Sequence, residues 1–184
     1  FSYFKIENAD KGIWGDVSEV TLSHGTISNC RNAVEMNGGM LSIDSMIFLE
    51  NRENAVFANN NVTGSITNSL FKGNYYGVNS SGGNFTFENN ILNENKGWAV
   101  TLSNNNNKPV RNNIVRNNGA GMSVNTANII ENNIIEDNKG EGLNAWNSYV
   151  SENSIVRNSG RGMYASNCSV RDNNFSYNFG TGIH

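Results

Sequence analysis

"ENNIIEDNKGEGLNAW", from Glu131 to Trp146, recurs with small changes as "ENSIVRNSGRGMYA" from Glu152 and as "RNNIVRNNGAGMSV" from Arg111. Aligned on their shared glycine, these stretches start a column of small residues that runs the length of the chain: Gly12, Ala33, Ala55, Gly77, Ala99, Gly121, Gly142, Gly162 and Gly182. An apolar residue follows each one: Ile13, Val34, Val56, Val78, Val100, Met122, Leu143, Met163 and Ile183. A period of roughly 20–22 residues held over the whole chain is the mark of a repeat architecture.

Two asparagine columns accompany it. One reads Asn8, Asn29, Asn51, Asn74, Asn95, Asn117, Asn138, Asn158 and Asn178, the other Asn68, Asn90, Asn112, Asn132, Asn153 and Asn173. Between them lies an apolar position, as in Leu70, Ile114, Ile134, Ile155 and Phe175. Apolar residues alternate over short runs such as Leu41-x-Ile43, Phe85-x-Phe87 and Met122-x-Val124, the period of a strand with one buried face. Each repeat therefore predicts about three short strands joined by tight bends, stable only when stacked ~4.8 Å from its neighbours. Asparagine suits such bends twice over. Its amide satisfies inward backbone groups and bonds to its copies above and below, and its backbone tolerates the left-handed region. The Gly/Ala column marks bends too tight for a larger side chain.

The pattern Asn-x-Ile-x-x-Asn-x-x-x-Gly-Ile resembles the parallel β-helix repeats of the pectate-lyase-like superfamily and of NosD-type repeat proteins. The resemblance covers essentially all the repeats. It implies an all-β, single-stranded, right-handed parallel β-helix, a solenoid of about nine rungs of roughly 20–23 residues. Residues 1–184 are expected to form one such domain, a fragment of a longer chain without caps at either end. Left-handed hexapeptide helices, leucine-rich repeats and glycine-rich calcium-binding rolls fit less well. The strict six-residue period, the leucines and the Gly-Gly-x-Gly-x-Asp motif that they need are missing.

Composition narrows the partners. Only 16% of residues are charged and the net charge is -3, so no strong field attracts nucleic acid or anionic membrane. No apolar run reaches the ~18 residues of a membrane span. Cys30 and Cys168 make neither a disulfide framework nor a ligand set at metal spacing, and no cofactor is expected.

Charges read as ladders. Glu50, Lys72, Glu94, Arg116, Asp137 and Arg157, beside the first asparagine column, alternate in sign from rung to rung, and Glu88, Arg111 and Glu131 do the same. Stacked opposite charges stabilise by about 0.2–1 kcal/mol per pair. Asp16, Glu19, Glu35 and Asp44 are the acids least committed to pairing, scattered over the first three rungs. By resemblance, a β-helix polysaccharide lyase gathers carboxylates for calcium beside an Arg or Lys base, and the spacing here shows no patch of three unpaired acids. His24 and His184 join no Ser/His/Asp or Cys/His constellation.

Aromatics give the better lead. Tyr75 and Tyr76 precede Gly77, and Trp98 holds the place of Tyr76 one rung on. Rings so placed offer a platform to the C–H face of a sugar, with Asn54, Lys96 and Glu94 near enough to bond its hydroxyls. Trp14, Phe57 and Tyr164 share another outward column on separated rungs, and Trp146 stands alone. The bulges "NGGM", "ANNN", "SSGGN" and "SNNNNKP" all follow the second apolar strand and lengthen one side of the first five rungs, where a solenoid builds its binding face.

These features predict an extracellular, cell-surface or periplasmic module: a rigid scaffold that binds carbohydrate on its loop-bearing side and self-associates through its open ends. The alternative is part of a polysaccharide-active enzyme (lyase, hydrolase or C5-epimerase), on fold resemblance alone. A third is a NosD-like periplasmic protein, although five Met and two His form no column that would hold a soft metal.

Overall fold

Each repeat supplies three extended segments, and each segment pairs in parallel with its counterpart one repeat away. The structure, a computed structural model, describes residues 1–106, 108–126 and 129–184. In the fourth repeat the segments are Tyr76–Ser81 on a first face, Asn84–Glu88 on a second and Ile91–Asn93 on a third. The third face holds eight strands in unbroken sequence order. The other two form one 14-stranded sheet, because Lys11–Ser23 and Asn32–Asp44 run round the corner between them. The expectation of three short strands per repeat therefore fails in the first two turns, where two of the three fuse.

The small-residue column and the apolar column behind it are in register throughout. Val34, Val56, Val78, Val100, Met122, Leu143 and Met163 pair in file, and all are buried. The nine small residues delimit about eight turns of coil. Their size is forced: a Cβ on Gly121 would lie 2.0 Å from the Gly142 carbonyl oxygen. Phe48 and Phe71 stack at 4.9 Å inside the early turns, and smaller aliphatics fill the later ones. All four bulges fall at the corner between the first and second faces, where Gly38, Asn60, Asn61, Gly82 and Asn104 have positive φ. Asn107, within "SNNNNKP", lies outside the described residues.

The asparagine columns need correction by one residue at several turns. The ladder that points inward is Asn51, Asn74, Asn95, Asn118, Asn138, Asn158 and Asn178. At each step one Oδ1 accepts both the backbone N–H and the Nδ2–H of the previous asparagine, as Asn118 Oδ1 does from Asn95 at 2.9 Å each. Nδ2 of Asn118 donates back to Leu92 O at 3.0 Å, so a single amide ties three turns together. The second inward ladder is Asn90, Asn113, Asn133, Asn153 and Asn173. Asn8, Asn29 and Asn117, and likewise Asn68, Asn112 and Asn132, are the left-handed residues just before the inward position, with φ of 52–60°. The apolar position shifts in the same way. Ile155 points inward, whereas Leu70, Ile114 and Ile134 form an outward row with Ile47 and Ile91.

Among the described residues there is no helix, hence none long and apolar enough to cross a membrane. The neighbours Asn117 and Asn118 separate the two roles of asparagine. Asn118→Ala leaves buried donors of Asn95 and the Leu92 carbonyl without partners, and should cost about 2–4 kcal/mol. Asn117→Ala loses only an exposed bond and left-handed tolerance, about 1 kcal/mol. Urea unfolding of both variants checks this, and equal losses would refute the assignment of the inward column.

Candidate functional site

With Asn74 turned inward, the residue after it must face solvent at the corner between the third and first faces. The backbone N–H groups of Arg52, Tyr75 and Lys96 donate to the carbonyls of Cys30, Asn51 and Asn74, so the three side chains occupy one corner position on successive turns. Tyr75 is 46% exposed and meets Tyr76 edge to face, with centroids 4.8 Å apart and planes at 77°. The Tyr76 ring lies over Gly97, where a Cβ would come within 2.5 Å of a ring carbon. This need for glycine was visible in the sequence as "NKGW" and was not read as part of the platform. Trp98 is half-buried one turn on, and its ring touches no other ring among the described residues.

The polar candidates divide. Glu94 and Lys96 line a groove of about 410 Å³ together with Glu50, Arg52 and Gly73. Glu94 accepts from Asn93 Nδ2 at 2.8 Å and lies 3.7 Å from Lys72 Nζ. Arg52 and Lys96 form no ion pair among the described residues and are exposed, so two free cations stand on either side of Tyr75. Asn54 is buried instead. Its N–H and Nδ2 both donate to Asn32 Oδ1, at 3.1 and 2.9 Å, while its own enclosed Oδ1 has no donor among the described residues.

The charge ladders are partly as read. Arg111 bridges Glu88 at 2.9 Å and Glu131 at 3.5 Å. Arg157 bonds Asp137 at 2.9 Å and Glu136 at 2.7 Å, and its guanidinium holds the Asp137 carboxyl below its ordinary value. Arg116, however, belongs to the strand column of Asn93 and Glu136 and not to the corner column of Asp137, which breaks the expected alternation.

Three of the acids read as uncommitted are engaged, and of these Asp16 accepts from Asn37 Nδ2 at 2.7 Å. Glu35 accepts from Lys11 Nζ at 2.6 Å and Asn32 Nδ2 at 2.9 Å, which together outweigh the upward push of burial and lower its pKa. Asp44 accepts from Asn68 at 2.6 Å, Thr67 at 2.8 Å and Ser45 at 2.9 Å. Trp146 is not alone: it meets Tyr164 at 5.6 Å across a diagonal that a column alignment does not see, and His184 stacks on Tyr164. Among the described residues no group of three or more His, Cys, Asp or Glu is placed to hold a metal ion.

A parallel coil of stacked repeats, with inward amide ladders and outward rows of paired charge and aromatic rings, defines a β-helix. The profile of the family described as "right handed beta helix region" matches residues 1–126 and 32–163, and the chain belongs to that family. Among solved structures it is similar to a double mutant of the periplasmic alginate epimerase AlgG, with a TM-score of 0.57 and 16% identity. That match covers 96% of this chain and 64% of the other, so the chain spans less than two thirds of the length of its structural relative. No curated protein matches it.

The Asp44 cluster fixes a pH dependence. Bonds from Asn68 and Thr67, only partly offset by burial, hold its carboxyl below the usual range. A depressed folded pKa favours folding above the unfolded value, near 3.9, and that contribution is lost as the pH falls through the lower folded value. Asp44→Asn should therefore lower the melting temperature at neutral pH and flatten the loss of stability below about pH 4. Parallel melting-temperature curves for variant and wild type would exclude Asp44 as a contributor.

Proposed function

We propose that this chain is a β-helix module of an extracellular, cell-surface or periplasmic protein, a rigid rod that binds polysaccharide at the corner between its third and first faces. Tyr75, Tyr76 and Trp98 supply apolar surface for the C–H faces of the sugar rings. Lys96 and Glu94, from the adjoining groove, bond to substituents, and Asn54 supports the wall beneath Tyr76. The observation that carries the reading is an exposed tyrosine pair beside a groove that contains unpaired Arg52 and Lys96. Similarity to a protein titled as an alginate epimerase supports a polysaccharide-related role. The same likeness keeps a polysaccharide-active enzyme as the alternative. Binding is favoured over turnover because several acids that could act as base or metal ligand are engaged in ion pairs or side-chain bonds.

The reading extends to the chain as a whole: residues 1–184 act as one β-helix domain, with outer sheet edges suited to pairing with a second copy. Glycan-array binding of the wild-type chain beside a Tyr76→Ala, Trp98→Ala double variant tests the site. Saturable binding to one glycan class, weakened about tenfold or more in the variant, is expected from the loss of two rings. Equal binding by both proteins would move the site elsewhere, and no binding by either would leave the rod without its ligand role.

A further inference from the structure

The third face carries an outward aliphatic row, apart from the Tyr75 corner and from the outer sheet edges. Ile47, Leu70, Ile91, Ile114 and Ile134 stand in register on five successive turns. Ile47, Ile91 and Ile134 are between 39% and 41% exposed, and Leu70 and Ile114 are half-buried. At the strand spacing of ~4.8 Å the row is ~19 Å long. The exposed, left-handed Asn68, Asn89, Asn112 and Asn132 border it on one side. On the other side, two residues along each strand, runs the row Lys72, Asn93, Arg116 and Glu136. Lys72 approaches Glu94 only to 3.7 Å, and Arg116 forms no ion pair among the described residues. Glu136 shares Arg157 with Asp137. An exposed aliphatic row between polar borders marks an interaction surface.

We infer that this row packs against the same row of a second copy, with the two coils antiparallel. The two-fold axis runs parallel to the strands and crosses the face midway between Ile91 and Ile114. Ile91 of one copy then meets Ile114 of the other, and Leu70 meets Ile134. In the neighbouring row Lys72 meets Glu136 and Asn93 meets Arg116, each twice, because a two-fold interface is self-complementary. The charges select this register. An axis through Ile91 would set Lys72 against Arg116, and one through Ile114 would set Arg116 against itself. The period selects the occupant: aliphatic groups one strand spacing apart match a surface with the same repeat, which a second copy has. A face two outward residues wide buries less than the roughly 1,200 Å² of a stable complex, so the dimer is weak, with a Kd of about 10 µM or higher. The inference does not rest on the carbohydrate reading.

Sedimentation equilibrium of the chain between about 1 and 300 µM tests it. A monomer–dimer equilibrium that stops at the dimer is expected, because a two-fold interface closes on itself. Ile91→Lys is expected to raise the Kd by about tenfold or more while leaving the melting curve of the monomer unchanged. Lys72→Glu and Glu136→Lys are each expected to raise it by about fivefold or more, and the two together to restore the wild-type value. A monomer throughout would leave the row to a partner of another kind and overturns the inference. Association untouched by Ile91→Lys, or open-ended growth in its place, belongs to the outer sheet edges and overturns it as well. Loss in both single charge variants without rescue in the double variant overturns the antiparallel register, and the proposal with it.

Discussion

The buried amide of an inward asparagine is the interaction on which the coil depends. A chain that turns sharply toward its own interior carries N–H and C=O groups that water cannot reach, and each one left unpaired costs about 1–3 kcal/mol. In Asn95 one side chain resolves this for three turns, because Nδ2 reaches the Phe71 carbonyl behind it and the Asn118 Oδ1 ahead. Where the ladder lacks asparagine, weaker substitutes appear. Asn51 Oδ1 accepts the Cys30 N–H, Ser69 Oγ the Met46 N–H and Met46 Sδ the Gly25 N–H. The substitutes cluster in the first three turns, where stacked phenylalanines bury more apolar surface.

Fixed corners fix register, and register turns sequence period into surface rows. A strand that slipped by one residue would bring its outward set inside, and the amides prevent this because their bonds form only in one alignment. Side chains at the same place in successive repeats then stand about 4.8 Å apart on the outside. Opposite charges form ladders such as Glu88–Arg111–Glu131, worth little individually at an exposed surface. A break in a row leaves an unpaired group at a known spacing. Arg52 and Lys96 are such breaks, and they lie in a groove beside the exposed Tyr75.

The fold was legible because its strongest requirement, the small residue at each tight corner, admits only glycine or alanine along the whole column. Gly77 and Gly121 would clash with neighbouring carbonyl oxygens if they carried a Cβ. The asparagines were legible as a class but not always by position, for a physical reason. In the doublets Asn112–Asn113, Asn117–Asn118 and Asn132–Asn133 the first takes the left-handed backbone and the second points inward. One residue type suits both tasks, so spacing alone cannot assign them. The same one-residue ambiguity put Arg116 in the wrong row and set the outward Leu70, Ile114 and Ile134 in one column with the inward Ile155. Contacts that cross rows, such as Trp146 on Tyr164, depend on side-chain direction and have no signature in a column.

Because amides inside the corners hold the coil, the outward rows are released from structural duty. An exposed residue away from such features changes stability by only about 0.5 kcal/mol when substituted. In a solenoid each repeat touches only its neighbours, so a change at Tyr76 does not propagate to Tyr149 three turns away. The rows are also carried on paired strands, which hold their side chains in place before a ligand arrives and reduce the ordering cost of binding. One backbone can thus bear several separate recognition sites on different faces without compromise among them. That freedom is also why the family to which this chain belongs fixes the rod and leaves the chemistry to the particular side chains along it.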